Sequence, residues 1–172
     1  MGEVPLCTLR DCLASYPDNG APTAIPGDMN TAAELASHLR AAAVGTPRQF
    51  NMDLQGNVRV VLWLGGPWAA IAWCHLHFGP LPPPPSHPSP WRVRAKHPPP
   101  VEYVSFLLAT RETDIQAEWL LPADEVIRMA VYIAEHRTLP PWGVWVDDDG
   151  NQYAGESESR CGADRAHDAV PF

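Results

Sequence analysis

Apolar positions first fall into helical spacing just after residue 30. Asn30 or Thr31 stands as a capping residue, with Glu34 at the distance of a capping box. Leu35, Leu39, Ala42 and Ala43 follow at helical spacing up to Val44, and Gly45 and Pro47 stop the run. The period then shortens to alternation. Residues 49–54 read as a short strand, Gln55, Gly56 and Asn57 as a turn, and residues 58–64 as a β-branched strand halted by Gly65-Gly66-Pro67. Residues 68–78 continue as a further strand, so the two glycines suggest an antiparallel hairpin. On that strand Ile71, Trp73, His75 and His77 share one face, and Ala70, Ala72, Cys74, Leu76 and Phe78 the other.

A second hairpin is expected from residues 101–109 and 114–121, around a turn at residues 110–113. In its second strand Ile115, Ala117, Trp119 and Leu121 would face the core, and Asp114, Gln116 and Glu118 water. Pro122 suits a helix start, with Asp124 and Glu125 in the first turn where the helix dipole favours carboxylates. Val126, Ile127, Ala130, Val131, Ile133 and Ala134 supply an apolar stripe, and His136 and Arg137 close a helix over residues 123–137. Residues 139–146 read as an extended, proline-punctuated segment carrying Trp142 and Trp145. Strands joined by hairpins and flanked by two helices predict a single α+β domain with a mainly antiparallel sheet.

Proline changes this picture between residues 79 and 100. Ten of the 20 prolines lie there. Proline supplies no amide donor, so a long irregular insert is expected and no central strand. Its run at residues 82–85 is extended and stiff, suited to a spacer or to a ligand for a proline-recognising domain. Residues 1–29 show no sustained period and read as an irregular lead-in. Residues 148–172 read as a polar tail, which leaves residues 30–147 as the domain.

Charge divides the chain. Residues 1–100 carry seven basic and six acidic side chains, whereas residues 101–172 carry five basic and fourteen acidic. An acidic half disfavours nucleic acid and anionic membrane as partners and favours a basic protein surface. No apolar segment approaches the roughly 18 residues of a membrane span. The first residues, with Glu3, Arg10 and Asp11, lack the apolar core of a signal peptide. Cys7, Cys12, Cys74 and Cys161 are then expected as reduced thiols in the cytoplasm.

A search for catalytic spacing leaves little. Cys74, His75 and His77 are close in sequence, but Cys74 falls on the opposite strand face and no downstream pair completes a zinc set. The chain holds no Gly-x-Ser-x-Gly elbow, His-Glu-x-x-His helix or phosphate-cradling glycine loop. Asp147, Asp148 and Asp149 form what reads as a solvated run. Neither a catalytic residue nor a cofactor nor a metal is expected.

Residues 101–146 resemble the first-numbered immunity-protein family of bacterial polymorphic toxin systems. The resemblance lies in the strand from Tyr103 to Leu108 and in Glu118-Trp119-Leu120-Leu121-Pro122 leading into the second helix. It extends to Leu139-Pro140-Pro141-Trp142-Gly143-Val144-Trp145, similar to the family's closing proline-to-tryptophan signature. The earlier helix and strands are compatible with the family's N-terminal part. The insert, both tails and Thr138-Leu139, where relatives commonly show a glycine before the proline, depart from the pattern. The resemblance implies an antitoxin that binds a cognate toxin, of the kind that accompanies nucleic-acid deaminases, through protein contact alone and as a monomer. An acidic protein suits the basic clefts of such toxins. Asp114, Glu118, Trp142, Trp145, Asp147, Asp148 and Asp149 are the candidate contact residues: the carboxylates for attraction, the tryptophans as anchors. A proline-rich adaptor is the alternative, and an enzyme of unrecognised kind a third.

Overall fold

The computed structural model describes residues 4–12, 27–75, 90–108 and 111–153. The chain enters as two short strands, β1 (Cys7–Asp11) and β2 (Gly27–Met29), paired antiparallel. Helix α1 (Ala32–Ala43) follows behind a capping box. Thr31 Oγ1 accepts from the Glu34 amide at 3.1 Å, and the Glu34 carboxylate accepts from the Asn30 amide at 2.9 Å. Strands β3 (Arg48–Leu54), β4 (Val58–Leu64) and β5 (Trp68–His75) then form an antiparallel meander. Its first turn uses Gly56 and Asn57 at positive φ, and its second uses Gly65 and Gly66.

The second half supplies β6 (Trp91–Arg94), the hairpin β7 (Tyr103–Leu108) and β8 (Arg111–Gln116), the two-residue β9 (Leu121–Pro122), helix α2 (Ala123–His136) and β10 (Val144–Val146). The sheet runs β10-β6-β5-β4-β3-β1-β2. The β7–β8 hairpin joins β3 beside Arg48, and β9 pairs with the start of β5. Every pairing is antiparallel except the single β3–β7 step. The protein is thus a single α+β domain with a large, chiefly antiparallel sheet.

Alternation along the meander decides where the core sits. Phe50, Met52, Leu54, Val60, Leu62, Leu64, Ala69, Ile71 and Trp73 are buried on one sheet face under both helices. Helix α2 meets them with Val126, Ile127, Met129, Ala130, Ile133 and Ala134, all buried. Each aliphatic side chain of this size contributes about 1.5–3 kcal/mol on full burial. The opposite face is split. At one end the hairpin folds over it, and Phe106 and Leu120 pack with Ala70 among Trp63, Trp68, Val104 and Ile115. At the other, Asp53 takes two hydrogen bonds from Arg59, at 2.6 and 3.1 Å, and an ion pair from Arg10 at 3.3 Å. These contacts tie β1, β3 and β4 together.

Several boundaries differ from those expected. Residues 1–29 contain two strands whose Cys7 and Met29 are core residues, because the outer edge of β3 needs a partner and β1 provides it. Within the proline-rich insert, β6 is a strand flanked on both sides, by β5 and β10. The prolines of residues 98–100 lie beyond its end, so none interrupts its ladder. The strand expected over residues 114–121 stops at Gln116. A 3-10 turn (Ala117–Trp119) lifts the chain off the hairpin, so Leu120, rather than Trp119, is fully buried. The second strand of this hairpin begins at Arg111, three residues earlier than the alternation predicts. The first residues of the supposed tail, up to 153, fold back, with Gln152 bridging Val146 and Tyr153 packing edge-on against Trp91. Residues 82–85, His77 and His87 lie outside the described residues.

Candidate protein-binding surface

The expected contact residues separate into buried and exposed groups. Trp145 is core: it pairs with Val93 across β10 and β6, is 2% exposed, and donates its indole N–H to the Pro140 carbonyl at 3.1 Å. Gly143 leaves room for that ring, since a Cβ there would lie 2.7 Å from Trp145 Nε1. An anchor must be reachable, so Trp145 is withdrawn from the contact set.

Asp147 is also withdrawn. It is 4% exposed and organises the turn after β10. Its carboxylate accepts from the Asn151 side chain at 2.9 Å and from the amides of Asn151 and Asp149 at 2.7 and 3.0 Å. Led by the Asn151 side chain, these bonds hold its carboxyl below the usual range. A three-aspartate run therefore consists of one structural residue and two exposed ones.

Trp142 is half-buried beside α2. Its ring stands edge-on to Tyr132 at 4.8 Å, and the Arg128 guanidinium lies 5.0 Å from its centroid. With Arg94, Lys96, Glu125 and Gly143 it lines a cleft of about 180 Å³, and its indole nitrogen is buried without a hydrogen-bond partner among the described residues.

Two other expected residues are linked through β6, a strand that the proline density obscured. Asp148 pairs with Arg92 at 3.3 Å, and Glu118 approaches Arg94 at 3.8 Å. Both guanidiniums lie over the Trp119 ring, 5.8 and 5.4 Å from its centroid. The turn after β10, the two arginines and the 3-10 turn thus form one band that runs into β8. Such exposed ion pairs contribute little stability, about 0–1 kcal/mol each. Their effect is to neutralise Asp148 and Glu118 locally. The alternation of Trp91 and Val93 with Arg92 and Arg94 was the available signal for this strand, obscured by the surrounding prolines.

On the hairpin, Glu112 and Asp114 take part in no ion pair among the described residues. Val104, Phe106 and Ile115 fix its inner face against the sheet. Its outer face presents Tyr103, which is 48% exposed, with Glu112, Asp114 and Gln116. Ser105 donates to Asp114 across the pair, holding that carboxylate in place. Asp149 stands exposed at the tip of the following turn.

No protein-family model matches the chain, and no curated protein matches it. Among the described residues, no group of three or more His, Cys, Asp or Glu side chains is placed to hold a metal ion. Among them too, no helix is long and apolar enough to cross a membrane.

Proposed function

We propose that this protein is an immunity protein that binds a cognate bacterial toxin, of the nucleic-acid deaminase kind, and neutralises it by protein contact. The observation that carries this reading is the β7–β8 hairpin. One of its faces is locked to the sheet through Phe106, and the other displays an exposed tyrosine among carboxylates. A surface held this firmly loses little conformational entropy on binding. Its negative charge suits a toxin whose cleft attracts nucleic-acid phosphates. The sequence resemblance supplies the class of partner.

Titrating the purified chain into the deaminase-type toxin domain encoded beside its gene tests the reading. Activity should fall stoichiometrically and stay unchanged with a toxin from an unrelated system. A toxin that keeps full activity under excess of this protein would reject the proposal. The exposed candidates Asp114, Glu118, Trp142, Asp148 and Asp149 remain the contact set.

A further inference from the structure

The parity of hydrogen bonds along the hairpin gives β8 a second chemical face. Ala117 N–H donates to the Glu102 carbonyl at 2.9 Å, so residue 117 points its backbone toward the β7 side. Leu107, opposite Glu112, instead donates away from β8, to the Pro47 carbonyl at 3.0 Å. Antiparallel pairs alternate between bonded and non-bonded. The two observations fix the same phase: residues 111, 113 and 115 bond to β7, and the amides and carbonyls of Glu112, Asp114 and Gln116 point outward. Among the described strands β8 pairs with β7 alone. The open stretch ends past Gln116, because the Glu118 carbonyl accepts from the Ala95 amide at 2.7 Å.

We infer that the toxin is held by strand addition: an extended basic segment of the partner pairs with the outward backbone groups of Glu112, Asp114 and Gln116. This deepens, and rests on, the immunity reading. Side-chain charge selects the occupant. The same three residues carry two carboxylates on one face, and both are exposed. A second copy of β8 pairing antiparallel about Asp114 would set carboxylate against carboxylate, which opposes self-association. A strand with lysine or arginine at alternate positions meets these carboxylates directly, and its main chain supplies the affinity.

The test uses the full chain and the toxin domain encoded beside it. Hydrogen exchange on the complex should slow specifically at the amides of Glu112, Asp114 and Gln116. Gln116→Pro removes one outward donor where the backbone already has φ −65°, the value proline adopts, so the fold should survive. Affinity should fall about tenfold or more, the loss of at least one main-chain bond with added bulk at the edge. Glu112→Gln with Asp114→Asn should weaken association mainly at low salt. A native complex in which those amides exchange as in the free protein, or in which Gln116→Pro binds undiminished, overturns strand addition and leaves the immunity reading standing. Protection of the same amides by self-association also overturns it. Failure of the native chain to bind the toxin at all rejects both.

Discussion

Gly65 sits at φ 132° with its α-hydrogen facing Pro47, and a Cβ there would fall 2.3 Å from Pro47 Cα. This contact packs the loop after α1 against the β4–β5 turn, and the Gly66 amide donates to the Ala43 carbonyl beside it at 2.7 Å. Gly65→Ala adds both a backbone clash and a disfavoured φ, so it should destabilise by more than about 2 kcal/mol in urea melts. Gly56→Ala, at φ 82° with open space around it, is the milder control. Cys7 shows a different residue-scale effect. Burial pushes its thiol from an ordinary value of 9.0 up to about 12, against an opposing influence from Arg137. Between those values the unfolded chain has lost the proton and the folded chain keeps it. Stability is therefore fully present below the unfolded value and falls as pH rises through this window. Comparing urea midpoints at about pH 8 and about pH 10.5, the native protein should lose more than Cys7→Ala.

At the scale of elements, the turn after β10 separates charge from structure. Asp147→Asn removes a carboxylate that accepts two amide bonds and a side-chain bond, and it should lower the melting temperature. Asp148→Asn with Asp149→Asn should leave the melt almost unchanged, since both groups are exposed and Asp148 joins only an exposed ion pair. If the toxin is attracted electrostatically, this double variant should slow association less than the hairpin pair Glu112→Gln and Asp114→Asn. Arg92 offsets Asp148, whereas no ion pair among the described residues offsets Glu112 or Asp114. Stopped-flow association at low and high salt measures the difference. Both sets of carboxylates slowing binding equally would move the interface toward the β10 turn.

For the whole molecule, the outer strands matter as much as the central meander. A chain begun at residue 30 matches the domain expected from hydrophobic patterning but lacks β1 and β2. It exposes the edge of β3 and deletes the buried Cys7 and Met29, besides the Leu6 carbonyl that accepts from Arg137 Nη2 at 2.7 Å. Burial of Met29 alone is worth about 1.5–3 kcal/mol, a large share of a typical domain's stability. The truncated chain should melt with a markedly lower, broadened transition by circular dichroism. Replacing residues 90–100 with a Gly/Ser linker should be similarly damaging, because β6 bridges β5 and β10 and buries Val93. A melt indistinguishable from the native one would mean that β6 and β10 contribute little to the cooperative unit.

By itself the sequence determined the elements whose signals are local. The capping box at Thr31, the β-branched alternation of residues 58–64, the double glycine after it and the stripe of α2 each specify their structure within a few residues. Each is present as expected, and together they give the α+β class. Tertiary structure decided whatever depends on a distant partner. Strand β1 exists because β3 offers an edge; β6 exists because β5 and β10 lie on either side of it, and proline density in the surrounding chain says nothing about that. Burial was likewise non-local. Trp145 and Trp142 belong to one short motif, yet the first is sealed beneath Gly143 and Val93 while the second is half-open. Asp147 and Asp148 are adjacent carboxylates, yet Asn151 encloses one and solvent the other. Alternation can assign side chains to faces, but only packing decides which face is covered, and so which residues a partner can touch.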